Sequence, residues 1–141
     1  MIRVVIDPGV YVSAFISPRR AAPGLVVEAL LDGEIEALVS PLLMAELARV
    51  LSRDKFERVA SDGRAEAFVV LISECGLRVA DPAPTPGATD DPDDDYLVAL
   101  ARAHSADAII SGDRHLLAVA SDDLPVWTPR VLADRLELPP S

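Results

Sequence analysis

The chain has 141 residues, half of them hydrophobic and only 4% aromatic, enough to bury a core of Leu, Val, Ile and Ala as one domain over residues 1–141. Its formal net charge of −10 excludes a surface that grips nucleic acid all over, so any such contact must run through a local basic patch or a metal. The single cysteine excludes an intramolecular disulfide or a cysteine zinc cluster, and no stretch approaches the ~20 apolar residues of a membrane span.

The start, "MIRVVIDPG", carries too short an apolar stretch for a signal peptide, so a cytoplasmic protein with no membrane partner is expected. Within it, "RVVID" (3–7) is a β-branched run that Pro8-Gly9 ends, the pattern of a buried parallel strand. A helix follows from about Pro23 to Leu31, closed near Gly33. "EALVS" (36–40) is a second strand, and Ser40-Pro41 then supply an N-cap and a first-turn proline for "PLLMAELARVLSR". "GRAEAFVVLISEC" is a further helix in which Cys75 reads as a small core residue, and "LRVA" (77–80) a third strand.

A surface loop rich in Pro, Thr and Gly leads to a helix over about 92–104. "DAIIS" (107–111) is a fourth strand, "RHLLAVAS" a short helix, "LPVWT" a fifth strand and "PRVLADRLEL" a closing helix. Strands alternating with helices predict an α/β/α sandwich with a mostly parallel sheet. Ligands of such sheets bind beyond the carboxyl ends of the strands.

Acids gather at that edge. Asp7 ends the first strand, Asp113 follows the fourth, and Glu46 lies in the helix after the second. The helix over 92–104 opens with Asp90, Asp91, Asp93, Asp94 and Asp95, five aspartates in six positions. Helix capping accounts for one or two of them, with Asp91 placed to cap before Pro92, at ~0.3–1 kcal/mol each from the helix dipole. It does not account for five that repel one another, whereas a hard divalent cation would offset that repulsion. At 100° per residue, with Arg102 marking solvent, Asp91 and Asp95 lie near the solvent side, Asp93 opposite and Asp94 between, so periodicity does not choose between Asp93 and Asp94. Glu46 borders the apolar stripe of Leu43, Leu47, Val50 and Leu51, where it can simply pair with Arg49 at i+3. A carboxylate straight after a buried strand, as at Asp7, is costly unless paired, hydrogen-bonded or bound to metal.

The segments "VVIDPGVYVSAFISP", "SPLLMAELARVL", "DPDDDYLVALA" and "ADAIISGDRHLL" resemble, in order, the four acidic motifs of PIN-domain ribonucleases, closest to those of toxin–antitoxin systems of VapC type. The resemblance implies an α/β/α sandwich and an endoribonuclease dependent on Mg²⁺ or Mn²⁺. It places the acids of the site, catalytic and metal-holding alike, at Asp7, Glu46, Asp94 and Asp113. Asp94 follows from the D-P-x-D spacing of Asp91-Pro92-Asp93-Asp94, with Asp91 and Asp95 as alternatives. Ser111 matches a hydroxyl residue two before the fourth acid. RNA is the implied substrate, and an antitoxin protein and a second copy in a homodimer are the implied partners. One motif departs: the family's first commonly reads Asp-Thr-Asn, here Asp7-Pro8-Gly9, so the side chains that would hydrogen-bond around the first acid are missing, although Gly9 permits close backbone approach. That departure supports the alternative of a catalytically lapsed interaction protein.

Arg19, Arg20 and Arg114 are candidate phosphate contacts, with surface charge as the plainer reading. His104 and His115 are isolated and read as structural or surface residues. Trp127 reads as a core residue of the last strand. A phosphatase with an aspartyl nucleophile also places an acid after its first strand, but it needs a second acid where this chain has Gly9.

Overall fold

The computed structural model describes residues 1–17, 21–53, 63–83, 91 and 94–137. In chain order its elements are β1 (Ile2–Ile6), α1 (Pro8–Ile16), α2 (Ala22–Leu31), β2 (Ile35–Val39), α3 (Pro41–Leu51) and α4 (Arg64–Cys75). Then come β3 (Leu77–Arg78), α5 (Asp95–Ala103), β4 (Ala108–Ile110), α6 (Arg114–Leu117), β5 (Val126–Trp127) and α7 (Pro129–Arg135). All strand pairs are parallel, in the order β3-β2-β1-β4-β5, and the fold is a three-layer α/β/α sandwich.

A parallel sheet covered on both faces demands continuous apolar strands rather than alternating ones. Val4, Val5 and Ile6 of β1 and Ala108, Ile109 and Ile110 of β4 are all fully buried, and β1 pairs with β4 from Val4–Ala108 to Ile6–Ile110. The edge strands β3 and β5 are two residues each. The helix α5 packs directly on β1 and β4, whereas α1, α2, α3, α4 and α7 form a group of mutually packed helices. Phe15 of α1 meets Phe68 of α4 with ring centroids 5.1 Å apart.

One local device recurs where strands pass into helices. Ser40 Oγ accepts from Leu43 N with Pro41 at the first helical position of α3, and Thr128 Oγ1 accepts from Val131 N with Pro129 opening α7. Each cap satisfies an amide that the helix leaves over, and each proline sits where no amide is needed. Gly76 is required by packing: a Cβ there would stand 2.7 Å from Val39 Cγ1, too close for α4 to hand over to β3 beside β2.

Three expectations are corrected. The sequence reading assigns no helix to residues 8–16, where α1 lies. Val10, Tyr11 and Val12 are buried in succession, so the helix has no polar face and its apolar residues show no helical period. Cys75 is exposed rather than core: it is the last residue of α4, beside an edge strand whose two residues are both exposed. Trp127 is only partly buried and carries the Arg135 guanidinium 4.1 Å above its ring. Elsewhere boundaries shift inward by a few residues, as at β4, α6 and α7. No helix among the described residues is long and apolar enough to cross a membrane.

Candidate active site

Strand order reverses between β1 and β4, which opens a crevice at their carboxyl ends. Asp7 and Asp113 stand there. Asp7 N donates to Ile110 O at 2.9 Å, extending the β1–β4 ladder by one residue. Asp7 Oδ1 accepts from Gly9 N at 3.0 Å and so caps α1, while Oδ2 accepts from Ser111 Oγ at 2.7 Å. The fully buried Ser111 also accepts from Asp113 N at 2.9 Å, and Asp113 Oδ1 caps α6 through His115 N at 2.7 Å. One hydroxyl thus ties the first acid to the fourth. Burial pushes the Asp7 carboxyl above its ordinary range; the bonds from Ser111 and Gly9 oppose this, and the charges of Asp113 and Glu46 add to it.

The first acid is thus held by a backbone amide and by the Ser111 hydroxyl just beyond β4. Close approach is not what Gly9 provides: a Cβ there would come no nearer than 3.7 Å to the Asp7 carboxylate.

Asp94 is arranged differently. It stands at the N-cap of α5, yet its side chain caps no amide. The expected cap, Asp91, instead accepts Asp94 N on its carbonyl at 2.9 Å. Asp94 Oδ2 is buried with no hydrogen-bond partner. Burial first, then the neighbouring charges of Asp7, Asp113 and Asp91, raise this carboxyl to about 7. Asp95 is buried, with 5% exposure, against the expectation from Arg102. A 100° period assigns one environment to a whole stripe, but this stripe is open at Arg102, which reaches Asp123 at 3.1 Å, and buried at Asp95 in the first turn. Asp90 and Asp93 lie outside the described residues, as do Arg19 and Arg20.

Asp7, Glu46, Asp94 and Asp113 line one cleft of about 380 Å³, together with Val12, Val50, Arg53 and Tyr96. A cavity of about 390 Å³ bounded by Met44, Ser73 and Arg78 has no acid in its lining. Glu46 is paired with Arg49: Oε2 accepts from Nε at 3.0 Å and Oε1 from Nη2, which holds its carboxyl below the usual range. The sequence reading gave no role to Arg53 or Tyr96. Arg53 follows Glu46 by seven residues, two helical turns, so its position on the Glu46 face was legible. Tyr96 directly follows the aspartate cluster; its hydroxyl is buried without a partner, and burial, then the charges of Glu46, Asp7, Asp94 and Asp81, push the phenol up. Arg114 is exposed beside Asp113, and His104 Nε2 lies 2.9 Å from Ala80 O.

The donors are all carboxylate oxygens, and one of them is an orphaned buried acceptor, a set that suits a hard divalent cation. Among the described residues, no three acidic, histidine or cysteine side chains converge closely enough to hold an ion as they stand.

A family model of the PIN domain matches residues 3–115. Three solved structures are similar in fold. VapBC2 from Rickettsia felis, bound to a DNA fragment from its promoter, matches with a TM-score of 0.63 at 13% identity over 90% of this chain and 98% of that one. FitAcB from Neisseria gonorrhoeae matches with a TM-score of 0.57 at 17% identity over 90% and 98%. FitAB bound to an IR36 DNA fragment matches with a TM-score of 0.53 at 17% identity over 89% and 94%. No curated protein matches in sequence.

Proposed function

We propose that this chain, which belongs to the PIN-domain family, is an endoribonuclease dependent on Mg²⁺ or Mn²⁺, with Asp7, Glu46, Asp94 and Asp113 as its metal-holding acids. Asp94 carries the reading. It stands where an aspartate would ordinarily stabilise its helix, forgoes that bond, and leaves a buried oxygen unsatisfied beside two other acids. Folding gains nothing from that placement.

A divalent ion at this site supplies Lewis acidity, acidifying a water and offsetting charge on a phosphate. The chain's own residues do the rest. Ser111 fixes Asp7 and the Asp113 backbone in one register. Asp94, whose carboxyl is raised by burial and by its acidic neighbours, would release its proton on taking up a cation. Arg53 brings positive charge to the cleft, where an RNA backbone would otherwise meet only acids.

We place the protein as the toxin of a toxin–antitoxin pair, supported by structural neighbours that are complexes of that kind. A homodimer belongs to the same proposal and rests on the sequence resemblance. A second reading, a lapsed enzyme acting through an interaction surface, is favoured by the unconverged donors and by the Arg49 pairing of Glu46.

Calorimetric titration with Mn²⁺ separates the two readings. The nuclease reading expects the wild type to bind and Asp94→Asn to weaken binding about a hundredfold or more, since even outer-shell partners of a metal cost 10–100-fold. A wild type that binds no Mn²⁺ leaves the interaction reading standing. Cleavage of RNA against DNA oligonucleotides in Mn²⁺ then tests the substrate.

A further inference from the structure

Two features of the cleft are incomplete in complementary ways. Glu46 lines the cleft, but both of its carboxylate oxygens are engaged by Arg49 on the exposed side. The Tyr96 hydroxyl, in the same cleft, is buried with no partner, a costly state for a group that can donate one hydrogen bond. Glu46 and Tyr96 line the same cleft. We propose that Tyr96 is a positioning residue for the second acid: its hydroxyl takes Glu46 over from Arg49 and holds that carboxylate turned into the cleft.

The exchange is cheap to make. The Arg49 and Glu46 side chains are 58% and 35% exposed, and pairs this open to water hold weakly. Turning Glu46 inward gives Tyr96 its acceptor and brings a fourth carboxylate towards Asp7, Asp94 and Asp113. The inference rests on the metal-dependent reading above and adds the residue that completes the site.

Mn²⁺ affinity and metal-free melting temperature, measured together, test it. Tyr96→Phe removes only the hydroxyl. The metal-free melting temperature is expected to hold or rise, because an unsatisfied buried group is gone, while Mn²⁺ affinity falls about tenfold. Arg49→Ala is expected to tighten Mn²⁺ binding roughly two- to fivefold, the strength of an exposed ion pair, and Glu46→Gln to erase that gain. Unchanged affinity in Tyr96→Phe overturns the inference, as does a fall in its metal-free melting temperature that marks the hydroxyl as structural. A gain from Arg49→Ala that survives Glu46→Gln also overturns it, by assigning the effect to lost positive charge alone. These failures leave wild-type Mn²⁺ binding intact. Absence of that binding instead brings down the metal reading, and this inference with it.

Discussion

Asp113 and Asp94 occupy the same place in their helices. Each is the N-cap residue and each borders the same cleft. Asp113 behaves as a cap should: its carboxylate binds an amide of α6 and its own amide is held by Ser111. Asp94 binds no amide of α5, carries an orphaned oxygen, and is pushed up to about 7 by burial and by its neighbours' charges. One aspartate serves the fold and also lines the site; the other serves only the site. The difference matters for experiment, because loss of function at Asp94 can be read without loss of folding.

The comparison breaks first if Asp94→Asn proves structural. The expectation is a loss of Mn²⁺ affinity of about a hundredfold or more, with urea stability unchanged or higher, since a neutral amide at an N-cap costs the helix nothing. Ser111→Ala should show the opposite profile. Its buried hydroxyl serves Asp7 and the Asp113 amide at once, so its loss should cost about 2 kcal/mol in urea denaturation. Asp113→Ala, which removes one helix cap, should cost about 1 kcal/mol by the same measurement.

The smallest effect is in pH. Metal-free, Asp94 has a folded pKa near 7 against an ordinary 3.8, so the folded state keeps a proton that the unfolded chain has released. The stability tied to that proton is complete below pH ~4 and is lost as pH rises through ~7. Asp7, also raised, adds in the same sense, and Glu46, lowered, opposes it. Subtracting the Asp94→Asn profile from the wild type isolates the one group. A difference that stays flat between pH 4 and 8 would break the contrast with Asp113.

Much of this was open to reading from the chain. The buried strands announced themselves as β-branched runs because a sheet covered on both faces leaves no polar alternation. The cap at Ser40 was legible because it precedes a proline in a pattern local to a few residues; Thr128, before Pro129, was read only as the end of a strand. The helix α1 was hidden for the converse reason: Val10, Tyr11 and Val12 are buried in succession, and a uniformly apolar run has no period. Asp7, Glu46, Asp94 and Asp113 line one cleft, but periodicity left Asp94 undistinguished from Asp93 and only the motif spacing chose between them. Asp95 was misplaced because a helical period reports direction about an axis and nothing of what covers each end. Tyr96 could not be found this way, since its hydroxyl matters through acids brought from three other segments.

The Ser111 bridge has a consequence in time. It joins residues 104 apart in sequence, one of the long loops whose closure folding must complete before any contact rewards it. Asp7, Glu46 and Asp94 all precede β4 in the chain, but Ser111 and Asp113 reach them only when β4 pairs with β1. A polypeptide still leaving the ribosome, or one cut short before residue 108, carries three of the four acids and lacks the hydroxyl that holds Asp7. If the cleft acts as proposed, the order of synthesis itself withholds activity until the fourth acid has been made.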